Sequence, residues 1–415
     1  VRKKAPDPLS PARAWFASRG WEPFAFQEEV WRAHLAGRSG LVHAPTGMGK
    51  TFAVAIGPML EELAARDAGS PRRRERGLKL LWLTPLRALA NDTAEALASA
   101  AEGLGLNWSV ELRTGDTAQS KKKKQRIDGL PNILVTTPES LSVMLSYPEL
   151  AVAAEGEAHS PLGGVRGVVV DEWHELLGTK RGVQTELGLA RLRMLNPGLR
   201  TWGLSATLGN LDEAMRVLQG AAAAEGVLVR GLGRRKYQFR TVIPPDIDRF
   251  PWAGHLGIRL LPQVCEAIDS ARSTLLFTNT RSQSEIWFSG LLRARDDYMG
   301  KVAVHHGSLD RKLRARVEQA VQAGELKCVV CTSSLDLGVD FAPVDQVIQI
   351  GSPKGIARFL QRAGRSGHQP GGVSKIVCVP THALELVEFA AARDAIAAEE
   401  GPVDVEKRDP LTLQM

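Results

Sequence analysis

Cysteine is scarce in this chain. Four in 415 residues cannot staple a fold of this length, which excludes a disulfide scaffold and makes a reducing compartment the expectation. Long apolar runs are absent as well: no stretch approaches the roughly 18 apolar residues that a membrane-spanning helix needs. The basic start, Val1-Arg-Lys-Lys, has no apolar segment behind it, which argues against a secretory signal. Charge of one sign barely prevails. The 53 Lys and Arg against 46 Asp and Glu leave +7, compatible with a polyanionic partner but decisive for nothing. What remains is ordinary globular usage, 44% apolar and 24% charged, which excludes a disordered or collagen-like chain. At roughly 150 residues per domain, two or three domains are expected.

Short β-rich apolar runs alternate with longer helical stretches, the pattern of βαβ units and a parallel sheet. Candidate strands fall at 41–43, 80–84, 133–136, 168–171 and 201–204, then at 274–278, 302–305, 328–332, 346–350 and 375–379. The expected fold class is α/β: two domains of similar plan, each a mostly parallel sheet flanked by helices. Residues 226–252 hold Gly231, Gly233, Arg234-Arg235-Lys236 and Pro244-Pro245, the composition of a connecting segment. The expected division is therefore a first domain over 1–230, a linker over 231–252, a second domain over 253–400 and a polar tail over 401–415.

The first strand runs into Ala44-Pro-Thr46-Gly47-Met48-Gly49-Lys50-Thr51 and then an apolar helix. This is the P-loop pattern, with Ala44 where a glycine usually stands. Gly47 and Gly49 let backbone N–H groups converge on phosphate oxygens, and the helix N-terminus adds its positive dipole end. Lys50 supplies a cation for the β- and γ-phosphates, and the Thr51 hydroxyl suits Mg²⁺. A chance glycine turn is the bland alternative, outweighed by the correctly placed strand and helix. A nucleotidase also needs an acid at the end of a buried strand. Gly167-Val-Val-Val-Asp171-Glu172 supplies it: three valines bury the strand on both faces, and Asp171 emerges where α/β sheets place ligands. Asp171 would hold Mg²⁺, and Glu172 would orient or deprotonate the attacking water.

Further motifs follow in a recognisable order. Asp171-Glu-Trp-His174 resembles the DExH box of superfamily 2 helicases. Gln27 resembles the upstream glutamine that reads adenine, Thr84-Pro-Leu-Arg87 motif Ia, Thr136-Thr137-Pro-Glu-Ser140 motif Ib, and Ser205-Ala-Thr207 motif III. In the second half, Phe277-Thr-Asn-Thr-Arg281 resembles motif IV, Thr332-Ser333-Ser-Leu-Asp-Leu-Gly338-Val-Asp340 motif V, and Gln361-Arg362-Ala-Gly-Arg365-Ser-Gly-His368 motif VI. The longer word Asp171-Glu-Trp-His-Glu-Leu-Leu-Gly-Thr-Lys-Arg-Gly182, with His305-His-Gly-Ser-Leu309, is similar to the large helicase-related (Lhr-like) family, and within it to the ligase-associated DExH-box branch.

The resemblance implies two tandem RecA-like domains with ATP and Mg²⁺ in the cleft between them. It implies Gly338 and Asp340 near the nucleotide's sugar, and Arg362 and Arg365 as fingers on the γ-phosphate, with Gln361 beside them. His174, Ser205 and Thr207 would couple hydrolysis to domain movement. Arg87, Thr137, Ser140, Arg281, Thr332 and Ser333 would hold a nucleic-acid backbone. The implied activity is single-stranded-DNA-stimulated ATP hydrolysis driving 3′-to-5′ movement and unwinding in DNA repair. The substrate would be single-stranded DNA or a tailed duplex, with RNA or an RNA–DNA hybrid as the alternative. No membrane is involved; DNA ligase or nuclease partners and a cytoplasmic, bacterial, nucleoid-associated setting follow from the same resemblance. Family members continue into further domains, for which this length leaves no room.

Other signals are weaker. Cys328-Val-Val-Cys331 has metal or redox spacing, but residues three apart on a strand face opposite sides. His174-Glu175-Leu-Leu-Gly178 lacks the second histidine of a zinc-protease motif. His305-His306 reads as a loop pair at a strand end rather than a metal site. Lys121–Lys124 reads as a solvated helix face before a DNA grip, because consecutive helical residues point in several directions. Trp21 or Phe24 could stack on adenine or pack in the core. Two competing functions are an ATP-switched nucleic-acid-binding remodeller and a P-loop enzyme unrelated to nucleic acids; the later motifs argue against the second.

Overall fold

The computed structural model describes residues 7–45, 47–67, 77–85, 87–127, 129–153, 159–206, 208–220, 225–231, 236–243, 257–336, 344–353, 355–367 and 372–398. These fall into two compact units, one ending at Gly231 and the other beginning at Lys236. The first unit carries strands β1 (Gly40–His43), β2 (Leu80–Leu83), β3 (Val110–Arg113), β4 (Ile133–Thr136), β5 (Gly167–Val170), β6 (Arg200–Ser205) and β7 (Val227–Arg230). They form one sheet in the order β3-β4-β2-β5-β6-β1-β7, parallel throughout. The second unit carries β8 (Lys236–Thr241), β9 (Thr274–Phe277), β10 (Val302–His305), β11 (Cys328–Cys331), β12 (Gln346–Ile350) and β13 (Val373–Val379). Their order is β10-β11-β9-β12-β13-β8, again all parallel. Two sheets of parallel strands flanked by helices are the RecA-like plan. No helix among the described residues is long and apolar enough to cross a membrane.

The strand pleat explains the continuous apolar runs. Successive side chains alternate between faces, so a strand covered on both sides must be apolar at every position. Leu80 and Trp82 join one core cluster while Leu81 and Leu83 join the other. Val169 and its neighbours Val168 and Val170 divide the same way. In the second unit Cys328 and Val330 lie in one core, Val329 and Cys331 in the other. The two thiols of the C-x-x-C spacing are thus on opposite faces of the sheet, and burial pushes both above the usual thiol range.

Three strands escape the apolar-run criterion: β3, β7 and β8. All are sheet edges, half exposed, and β8 alternates exposed with half-buried positions. An edge buries less than a central strand, so its sequence need not be continuously apolar. The placement of β8 also corrects the expected linker: Lys236–Thr241, within 231–252, pairs in parallel with β13 and belongs to the second sheet. After motif VI the chain forms the helix Ala383–Ala398. The tail at 401–415 lies outside the described residues.

All four cysteines are reduced and buried. A thiol reagent such as DTNB should therefore find no fast-reacting group in the native chain and four in denaturant; rapid native reaction would contradict this packing.

Candidate functional site

Parallel strands put all their carboxyl ends on one edge of the sheet, which is where α/β proteins bind ligands. In the first unit β6 lies between β1 and β5, so the loops after these three strands are neighbours. His43 pairs in register with Ser205, and the Ser205 carbonyl accepts from the Ala44 N–H at 3.0 Å. The P-loop then curls through Gly47 (φ 83°) and Gly49 (φ 71°) into the helix Lys50–Asp67. These left-handed values suit glycine alone among ordinary residues. At Gly49 a Cβ would also sit 2.7 Å from Gln27 Nε2. Lys50 is buried and folds back over the loop, its Nζ donating to the carbonyls of Ala44 (2.8 Å) and Pro45 (3.1 Å). Met48 packs against the first core, and Thr46 lies outside the described residues.

Gln27 is bound up in this loop. Its Nε2 donates to the Gly49 carbonyl at 2.9 Å, and its Oε1 accepts from the Phe24 N–H at 2.8 Å. The upstream glutamine thus ties the chain entry to the P-loop. Trp21 is 46% exposed, while Trp15, Phe16 and Phe52 gather around it.

Asp171 leaves β5 into a buried site. Its Oδ2 accepts from the Trp82 indole at 3.3 Å and its Oδ1 from the Glu172 N–H at 2.9 Å. Burial, and then the adjacent Glu172 charge, push its carboxyl up to about 7, with Lys50 pulling the other way. Glu172 is the only described non-glycine residue with a left-handed backbone, φ 47° and ψ 46°. Such strain persists where the surroundings enforce it, and here it turns the Glu172 carboxylate back towards His174, whose Nδ1 lies 3.5 Å away. The Asp171 carboxyl offers oxygen donors of the kind a hard cation takes, its charge held back by burial and Glu172 and only partly relieved by Lys50.

Motif VI holds a surprise. Arg362, on the helix Ile356–Ala363, is only 2% exposed. Its Nε and Nη2 donate to Asp336 Oδ1 (2.7 Å) and Oδ2 (3.2 Å), its Nη1 to Gln349 Oε1 (2.7 Å), and its guanidinium sits 4.9 Å over the Phe277 ring. Arg365, beyond the helix end, donates to the Asp336 carbonyl at 2.8 Å. Both arginines converge on Asp336 of the same unit. Gln361 is buried beside them. Gly338 and Asp340, like Thr207, lie outside the described residues.

The residues expected on a strand collect at the carboxyl edges. Thr137 caps the helix Pro138–Leu145, accepting from the Ser140 N–H at 3.4 Å. In the second unit, Arg281 donates to Ser308 at 2.6 Å, and Thr332 and exposed Ser333 follow β11. Arg87 opens the helix Arg87–Gly103. Sequence reasoning missed three positioning groups: Trp82, Asp336, and Arg181, which donates to the Pro85 carbonyl at 2.6 Å and to both carboxylate oxygens of Glu139, tying motif Ia to motif Ib. The only available signals were a polar-tipped aromatic in a buried strand, an acid inside motif V, and an arginine inside the longer DExH word.

Residues 24–214 match the DEAD/DEAH box helicase family and residues 258–369 the helicase conserved C-terminal domain. ATP-dependent helicase Lhr-Core protein 2 of Thermococcus barophilus is 33% identical over 95% of this chain and 47% of its own length. The Lhr helicase/uracil glycosylase of Escherichia coli is 33% identical over 96% of this chain and 29% of its own. The structure of Mycobacterium smegmatis helicase Lhr bound to ssDNA and AMP-PNP superposes with a TM-score of 0.79 at 32% identity, covering 97% of this chain and 51% of that one. The chain belongs to the superfamily 2 DEAD/DEAH box helicases, in the Lhr-like family. It spans about half the length of these relatives, or less.

Two outcomes follow from the geometry. Asp171 binds its proton more tightly folded than unfolded, where the value is 3.8. Its contribution to stability is therefore present at low pH and lost as pH rises towards 7. In magnesium-free buffer, urea unfolding of Asp171→Asn should gain on the parent chain between about pH 4 and pH 7; a constant gap across that range would contradict this. Arg362→Ala strands a buried carboxylate and should lower the unfolding free energy by about 3–5 kcal/mol. A loss near zero would show that the Asp336 pair is not a structural contact.

Proposed function

We propose that this chain is the motor of an ATP-dependent nucleic-acid translocase, hydrolysing ATP in response to single-stranded DNA and moving 3′ to 5′. The observation that carries the reading is the joint placement of P-loop, DExH box and motif III serine at one sheet edge of the first unit, with the phosphate-holding residues along the same kind of edge. Lys50, Gly47, Met48 and Gly49, with Thr46, would cradle the triphosphate, and Gln27 the adenine. Glu172, whose carboxylate lies 3.5 Å from His174 Nδ1, would orient the attacking water and take its proton. Mg²⁺, when bound through Thr51 and Asp171, would neutralise developing phosphate charge.

Arg362 and Arg365 divide the finger role. Arg362 braces Asp336, whose carbonyl accepts from Arg365; Arg365 would act as the finger on the γ-phosphate when the second unit closes over the nucleotide, and Gly338 and Asp340 would serve the nucleotide's sugar. Gln361, His174, Ser205 and Thr207 would report the nucleotide state to that movement. Backbone contacts by Arg87, Thr137, Ser140, Arg281, Thr332 and Ser333 hold a strand without reading its sequence. Duplex unwinding in DNA repair, DNA ligase or nuclease partners, and a nucleoid setting in a bacterium extend the reading on the strength of the motif resemblance. A remodeller that uses ATP only to switch affinity is the competing reading.

The test is ATP hydrolysis with and without single-stranded DNA or RNA. Stimulation is expected in the parent chain and lost in Lys50→Ala and Glu172→Gln; no stimulation by any nucleic acid would sink the motor reading. On tailed duplexes, preference for a 5′ overhang would refute the polarity.

A further inference from the structure

The histidine pair at the end of β10 has no part in the site described above. His305 closes that strand and stands in register opposite Cys331, the last residue of β11. Thr332, next in the chain, opens motif V. Parallel pairing therefore sets His305 beside the start of motif V.

His305 is 1% exposed, and a ring so buried needs polar partners for its nitrogens. It has two. Nδ1 lies 2.8 Å from the Ser334 hydroxyl, and Nε2 lies 3.0 Å from Glu318 Oε1 on the helix Arg311–Gln322. The His305 carbonyl accepts from the Thr332 N–H at 3.3 Å and lies 3.1 Å from Ser334 Oγ. His306 turns to a different element, its Nε2 facing Glu285 of the helix Arg281–Ala294 at 3.3 Å.

Counting protons orients the contact. A carboxylate only accepts, so the Nε2 that faces Glu318 carries a hydrogen. Burial holds His305 below the ordinary imidazole range; Glu318 opposes this, and Arg314 and His306 add to it. A neutral ring with its hydrogen on Nε2 has Nδ1 as an acceptor. Ser334 then donates its one hydroxyl hydrogen to Nδ1 and not to the carbonyl. Glu318 selects the tautomer, and the tautomer orients Ser334.

Ser334 lies within the short turn Ser333–Leu335. On one side of it Ser333 is exposed; on the other, Asp336 accepts from Arg362 and Arg365. The turn is thus held at two points, by β10 at Ser334 and by motif VI at Asp336.

We infer that His305 is a positioning residue for motif V, fixing its turn at Ser334 in the conformation that answers bound nucleic acid. Being buried, it acts through Ser334 and not on a ligand. The inference rests on the translocase reading above and adds to it a residue outside the motif. A histidine that only fills the end of the sheet is the plain alternative, and it differs in one respect. Filling needs the volume of the ring, whereas positioning needs an acceptor where Nδ1 stands.

The experiment is ATP hydrolysis by the 415-residue chain titrated with oligothymidylate, with thermal unfolding read on the same samples. An asparagine amide reaches the place of Nδ1, and a glutamine amide that of Nε2. His305→Asn therefore keeps an acceptor for Ser334 and loses Glu318, while His305→Gln does the reverse. Both remove the same ring. His305→Gln should need about tenfold more oligonucleotide for half-maximal stimulation, the scale of one buried hydrogen bond left unmade, and His305→Asn no more than about threefold. Ser334→Ala should match His305→Gln, and the double variant should be no worse than either, because a shared contact is lost only once. Ser334→Ala also keeps the test open if His305→Gln unfolds. If the parent chain is stimulated but the Asn and Gln variants respond alike, or Ser334→Ala responds as the parent does, the positioning role falls and the motor reading stands. If no DNA or RNA stimulates the parent chain, the motor reading falls and this inference with it.

Discussion

Parallel alignment is the constraint on which the rest of this molecule depends. A parallel sheet needs a crossover between successive strands and covers both faces with helices, and it delivers every carboxyl end to one edge. Segments far apart in the chain meet there because no other edge is open to them. Ala44 follows β1 and Ser205 closes β6, yet their backbones are hydrogen-bonded at 3.0 Å. Asp171 emerges one strand further along. The second sheet repeats the arrangement, collecting Arg281, Ser308, Thr332 and Ser333. The helices that connect the strands start at this same edge, so their N-termini add positive potential where phosphates would bind.

Buried charge is handled differently at three places, and the differences separate scaffold from machinery. Asp336 is matched inside its own unit: Arg362 grips both carboxylate oxygens and Arg358 stands 3.7 Å off. Nothing there awaits a ligand. Asp171 is opposed by a neighbouring acid and only partly relieved by Lys50, so its charge is held back. Arg113 is the mirror case, a cation among neutral acceptors. The two unmatched charges sit at the edge where the fold admits ligands, and the matched one braces a turn.

Much of the fold was legible from the chain alone, for reasons tied to particular strands. Leu80–Leu83, Ile133–Thr136 and Gly167–Val170 are apolar at nearly every position because both faces are covered. The edges β3, β7 and β8 were not legible, since half-exposed strands carry Lys, Glu, Arg and Gln that read as loop or linker. The P-loop was legible because its residues are contiguous: its glycines, lysine and threonine belong to one short word between β1 and the helix Lys50–Asp67. Trp82, Asp336 and Arg181 were not, because each works on a partner elsewhere in the chain: Trp82 on Asp171, Asp336 on Arg362, and Arg181 on Pro85.

The amino-acid sequence by itself determined the class of chemistry: a phosphate loop, an acidic pair at the end of a buried strand, and a motif order that specifies two tandem α/β domains. Local rules suffice for these, since glycine conformations, strand periodicity and short spacings involve only near neighbours. Which charges are satisfied was decided by tertiary structure alone. Arg362 and Arg365 look like twins three residues apart, but only the packing of the helix Ile356–Ala363 against β12 and the motif V turn seats one on a carboxylate and the other on a carbonyl. The lysines at 121–124 are largely exposed, as a solvated face should be, yet only the fold brings the Lys122 carbonyl onto buried Arg113 of β3. Coulomb forces act through space and depend on burial, and neither quantity is written in the order of residues.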